Sequence, residues 1–235
     1  MALSALVLSQ LPPLRVLLKP SRLVVEVHSR MSVGHFMGNA NVSLVLGLTD
    51  SGGRDIRVRQ IAMKLVRGER ELLSMRGMSY FETPSSKASV LLIPFSLNPG
   101  ESWSHSVNFV RIFERDREQW MRANISALRE DLSARLAERD RDPNADKNVL
   151  VEVNPALVSP FIALFNEIFI WTPGEYSFEL SVETSQKSFK STYRFTLFES
   201  DSADLRKQTN DYKHGGGISW THEHHGPVSV PIIEA

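Results

Sequence analysis

The 235-residue chain carries 27 basic and 27 acidic side chains, so its formal charge is zero and it offers no general basic field to a phosphate backbone, which disfavours nucleic acid as a partner. Apolar residues make up 42% and charged residues 23%, ordinary globular usage that argues against wholesale disorder. There is no cysteine, which removes disulfides, thiolate metal sites and thiol nucleophiles and suits a reducing cytoplasm.

Residues 1–20 form an apolar arm. Met1 to Leu11 is apolar and meets Pro12-Pro13, with no basic region before it and a first charge only at Arg15. The run is roughly half of the ~20 residues that cross a bilayer, so an arm packed on the domain is expected. A second reading makes residues 1–18 a shallow membrane contact.

From Leu23 to Val33, Leu23, Val25, Val27, Met31 and Val33 share one face and Glu26, His28, Arg30 and Ser32 the other, a strand with one wet face. His35 to Asn39 turns the chain. Val42, Leu44, Leu46 and Leu48 continue the alternation up to the turn residues Asp50-Ser-Gly-Gly53. Ile56 and Val58 resume it, but Ile61, Met63 and Leu65 follow in the opposite phase, so a β-bulge is expected near Arg59–Gln60. After a turn at 67–70 and a loop at 83–87, Val90 to Leu97 places Leu91, Ile93, Phe95 and Leu97 on one face. Pro94 cannot donate a ladder hydrogen bond, which predicts an edge or a bulge there. Asn98-Pro-Gly-Glu101 turns into a strand of Trp103, His105, Val107 and Phe109.

Between Asp116 and about Asp140 the period becomes helical. Met121, Ile125, Leu128, Leu132 and Leu136 form the stripe, with Asp116 as a cap and Gln119 three residues on. This helix is an insertion over 114–148. Its stripe either covers the sheet or docks a partner with the help of Trp120. Val149 to Val153 reads as a short strand, and Asn154-Pro155 as a cap followed by proline at the first helical position. Leu157 to Trp171 is expected to be a buried turn of helix leading into a core strand, Ile168 to Trp171. Thr172-Pro-Gly-Glu175 opens a hairpin: Tyr176, Phe178, Leu180 and Val182 on one strand, Phe189, Tyr193, Phe195 and Leu197 on the other. One outer face is acidic and the other basic, so charge pairs can set the register. Asp201 to Tyr212 predicts a short polar helix, His214 to Gly217 a flexible joint, and Ile218 to Ala235 a tail ending in a strand at 228–233.

Eight or nine strands with one-sided alternation predict a mainly β fold, an antiparallel β-sandwich of immunoglobulin-like type with an inserted amphipathic helix. The Pro173-Gly-Glu-Tyr176 turn is similar to turns common in that architecture. The expected division is an arm (1–20), the sandwich (21–200) and a short helix with a His-rich tail (201–235).

One cluster has metal-ligand chemistry. In an extended backbone His222 and His224 share a face, with His225, Glu223 and His214 nearby, as two imidazoles of a zinc or nickel site do. No motif supplies the third ligand, so these histidines are weak candidates and no cofactor is expected. No G-x-S-x-G elbow or phosphate loop is present. The expected function is therefore a non-enzymatic interaction or accessory module, binding a protein partner through a sheet face, the inserted helix or the tail. The alternatives are a metal-binding protein, conceivably a hydrolase, using the His cluster, and a peripheral membrane protein using its N-terminal arm.

Overall fold

The computed structural model describes residues 20–83, 86, 88–220 and 226–235. The arm expected over 1–20 lies, except for Pro20, outside the described residues, as do His222, His224 and His225. The protein is mainly β, with 45% strand and 27% helix.

Its strands are β1 (Leu23–Phe36), β2 (Asn39–Asp50), β3 (Ile56–Arg67), β4 (Arg70–Phe81), β5 (Val90–Leu91), β6 (Phe95–Leu97), β7 (Ser102–Val110), β8 (Gly174–Thr184), β9 (Ser188–Leu197), β10 (Val228–Pro231) and β11 (Ile233–Glu234). They join in one antiparallel sheet of order β10-β1-β2-β7-β4-β3-β8-β9-β11. Because β10 and β11 are consecutive, one C-terminal segment borders both β1 and β9, and the sheet is nearly closed and barrel-like. The antiparallel alternation expected from sequence is present, but its strands follow a single hydrogen-bonded path rather than two separately laddered sheets.

The side-chain phase decides the local geometry. In β3, Ile56 and Val58 are buried, Arg59 is exposed, and Ile61, Met63 and Leu65 are buried again; the register with β8 slips between Val58 and Gln60. The expected bulge is there, and it keeps both apolar sets on the inner face. A second irregularity lies between Val27 and Met31 of β1. The β8–β9 hairpin carries the expected diagonal charge pair, Lys190 Nζ to Glu179 Oε1 at 2.8 Å.

Among the described residues the helices contact one another in series. The segment between β7 and β8 holds two: α1 (Arg115–Arg141), the expected inserted helix, and α2 (Pro155–Ile168), where sequence predicts only a turn of helix. The N-cap of α1 lies two residues before the predicted Asp116, at an extended Glu114 whose side chain makes no capping bond. α2 begins as expected, with Asn154 Oδ1 accepting from the Ala156 amide at 3.0 Å. Two expected strands are absent. Residues 149–153 are not a strand, although the Val153 amide donates to the Lys213 carbonyl at 2.7 Å. The strand expected over Ile168–Trp171 is not formed either: the expected turn of helix extends through Ile168, because Val158, Phe161, Phe165 and Ile168 recur at helical spacing and bury together, and residues 169–171 follow without regular structure. After β9 come α3 (Glu199–Lys207) and a 3-10 turn (Gln208–His214).

These helices form a second core around Met37, Leu128, Phe161, Phe165, Tyr212 and Ile218. The β1–β2 turn enters it. Met37 and Gly38 have φ of 51° and 88°, the backbone of a two-residue hairpin turn that follows sheet twist. The glycine is required on steric grounds too, since a Cβ on Gly38 would lie 2.9 Å from the Phe165 Cα. Trp171, fully buried, donates its indole N–H to the Gly34 carbonyl at 2.7 Å and ties the layer to β1. No helix among the described residues is long and apolar enough to cross a membrane.

Candidate interaction surface

The strongest surface feature starts at Pro94. β3 and β4 pair from Arg67–Arg70 to Ala62–Arg76 and then diverge. Into the gap comes the segment 90–97, β6 pairing with Ile56–Val58 of β3 and β5 with Ser79–Tyr80 of β4. Pro94, which has no N–H, falls between the two short strands, so the predicted break occurs there. The break has a consequence the alternation alone did not reveal. Leu97 is buried and Phe95 half-buried, while Leu91 and Ile93 are 71% and 69% exposed.

Ile112, 55% exposed, continues this apolar surface. It lines a cleft of about 320 Å³ with Ile93, Met78 and the bulge residues Arg59 and Gln60. It also lines a groove of about 660 Å³ between the start of α1 and α2, with Phe113, Trp120 and Leu164. The groove is positioned by the four-residue linker 111–114, which turns the chain from β7 into α1. Arg117 crosses it to Glu167 at 2.7 Å and lies over the Phe113 ring, 5.7 Å from its centroid. Both partners of the ion pair are more than a third exposed or close to it, so the pair orders the rim more than it stabilises the fold. An apolar band flanked by charge, running from Ile93 to the α1–α2 groove, has the anatomy of a contact surface.

The α1 stripe faces the other way. Leu128 is fully buried and Met121, Ile125 and Leu132 pack against the second core, so this stripe is mainly core. Trp120 bridges the two surfaces: it lines the groove and sits 6.0 Å from the Phe161 ring.

The histidines do not form a metal centre among the described residues, where no group of three or more His, Asp or Glu side chains converges. His214 Nδ1 lies 3.0 Å from the Val151 carbonyl, so this histidine links the 3-10 turn to the segment before α2. His105 is 4.8 Å from both Tyr80 and Trp103 ring centroids inside the sheet. His35 accepts the Gly38 N–H at Nδ1 (3.1 Å), so Nε2 carries the proton and donates to the Leu205 carbonyl (2.9 Å). Burial pushes its pKa below the usual histidine value. Tyr212 is buried in the second core, and desolvation raises its phenol well above the usual range. Both are packing groups of the helical layer. The Gly215–Gly217 segment, expected as a flexible joint, is a tight turn: Gly215 and Gly217 have φ of 77° and 71°, and a Cβ on Gly216 would lie 2.7 Å from the Asp211 Cβ.

Leu91, Ile93 and Ile112 were invisible as surface residues because alternation predicts which side chains share a face, not whether that face is covered. The proline inside an apolar run was the one available signal. No protein-family model matches this sequence, and no curated protein matches it.

Proposed function

We propose that the protein is a non-enzymatic interaction module that binds a protein partner along the band from Ile93 through Ile112 to the α1–α2 groove. The single observation that carries this reading is that Ile93 and Ile112, each more than half exposed, line a cleft that shares Ile112 with the α1–α2 groove. Isolated exposed apolar residues are normal; a contiguous group beside a charged rim is the pattern of contact surfaces.

The test is capture of the tagged chain from a cell extract, compared with the double variant Ile93→Asp, Ile112→Asp. Both residues are exposed, so the variant keeps its melting temperature. A central apolar contact contributes about 2 kcal/mol or more, roughly thirtyfold in affinity, so the partner is lost from the variant. A stoichiometric partner retained equally by the variant overturns this surface.

The immunoglobulin-like description of the fold belongs with this reading. It is supported by Tyr176, whose hydroxyl reaches back to the Thr172 carbonyl at 2.6 Å, as a tyrosine corner does at the end of a sandwich.

A further inference from the structure

Where β3 and β4 part, the cleft between them is basic as well as apolar. The two strands stop pairing beyond Ala62–Arg76, after which β3 pairs with β6 and β4 with β5. Gly77 allows the inserted segment to seat there, since a Cβ on it would lie 3.0 Å from Leu92 Cδ2 and 3.2 Å from the Ile61 carbonyl oxygen. Arg59, at the β3 bulge, and Arg76, on β4, come from the two strands that bound the cleft of about 320 Å³, which Met78, Ile93 and Ile112 also line. Arg76 pairs with Val110, so the next residue, Arg111, follows it at the junction with Ile112 and the α1–α2 groove.

All three arginines are exposed. Among the described residues their guanidinium groups make no ion pair, hydrogen bond or ring contact. Among the described residues no carboxylate lines the cleft either. The neighbouring acids are Glu183, paired with Gln60 across the bulge, and Glu114 in the linker, and neither is ion-paired to these arginines. The chain as a whole is neutral, so the cleft carries a local excess of positive charge. Arg117 differs, because Glu167 already engages it.

We propose that the protein partner meets this cleft with an acidic segment. A large apolar side chain of that segment seats against Met78, Ile93 and Ile112, and carboxylates flanking it take the guanidinium forks of Arg59, Arg76 and Arg111. The inference rests on the contact surface proposed above and adds the chemistry of what covers it. A guanidinium offers its donors in a planar fork that matches a carboxylate with two parallel hydrogen bonds. Apolar neighbours that exclude water strengthen such pairs. A single-stranded nucleic acid also brings anions, but it gains affinity by stacking bases on exposed aromatic rings. Phe95, the aromatic residue that lines the cleft, is half-buried and already stacked on Trp103 at 4.9 Å.

The probe is a fluorescein-labelled peptide with a central pair of leucines flanked by glutamates, titrated with the full chain and read by fluorescence anisotropy. The same peptide with glutamine for glutamate is expected to bind about tenfold more weakly, and Arg59→Gln, Arg76→Gln together to abolish that difference. Both arginines are exposed and unpaired, so the double variant keeps its melting temperature. Equal binding of the two peptides to the wild type, or a glutamate preference that survives in the double variant, overturns the proposal. An oligothymidylate bound as tightly as the glutamate peptide overturns the assignment to a protein. If neither peptide binds, the acidic partner is also rejected, and the capture experiment with Ile93→Asp, Ile112→Asp then decides separately whether the apolar surface stands.

Discussion

Leu128→Ala tests whether the α1 stripe is core. Leu128 is the only fully buried side chain of α1, and it packs with Met37, Phe161, Phe165 and Tyr212. Its Cδ2 also lies 3.5 Å from where a Cβ on Gly215 would stand, so the side chain rests directly on the glycine turn. Truncating a buried leucine costs about 2–5 kcal/mol, the transfer free energy plus a cavity term. Gly215 is held at φ 77° and Phe161 and Phe165 are fixed within α2, so little can collapse into the space and the upper half of that range applies, about 3–4 kcal/mol. Leu136, half-exposed and outside the second core, serves as the control at under ~1 kcal/mol. Equilibrium urea unfolding, followed by circular dichroism and by tryptophan fluorescence, measures both variants. A loss under about 0.5 kcal/mol for Leu128→Ala, the scale of a surface change, refutes the packing argument and returns the stripe to the interface reading.

Two further outcomes follow from the turn that enters the helical layer. His35 is held neutral in the fold and its pKa lies below that of the unfolded chain, so the stability it confers is complete above about pH 6.5. As the pH falls below this value it is lost at up to ~1.4 kcal/mol per unit until the folded-state pKa is reached. Between pH 7.5 and 5.5 the wild type therefore loses more stability than His35→Asn in urea unfolding, and equal losses count against the buried, neutral imidazole. Gly38→Ala combines a left-handed backbone with a Cβ 2.9 Å from Phe165 Cα, and is expected to cost about 1–3 kcal/mol in the same assay; a neutral result means the turn moves freely against α2.

What the sequence revealed depended on the range of the interaction. The β3 bulge was legible because a one-residue phase error on a half-buried strand has one cheap remedy. The Asn154 cap and the 176–197 hairpin were legible because their partners are near in sequence. The closure of the sheet was not. Val228 to Ile233 alternates like a strand, but nothing local specifies that one segment will border both β1 and β9, about 200 positions away for β1. α2 was half missed because Pro160 and an apolar upper face disguised a helical period that burial makes plain. Gly215 to Gly217 was misjudged for a different reason: glycine signals either freedom or close approach, and only the positions of Asp211 and Leu128 distinguish them.

The perturbed titratable groups lie away from the apolar band. A catalytic site gathers perturbed groups in a cleft. Here the carboxylates with lowered pKa values stand in surface hydrogen-bonded pairs: Asp131 beneath the Asn154 amide and Arg135, Glu152 with Lys213, Glu179 with Lys190. The two groups perturbed by burial, His35 and Tyr212, lie in the helical core, and His35 has both ring nitrogens engaged. Along the apolar band Arg117 and Glu167 neutralise one another. What the band presents is apolar area on a frame tied down by Trp171 and Met37, and it is this area that the proposed partner covers.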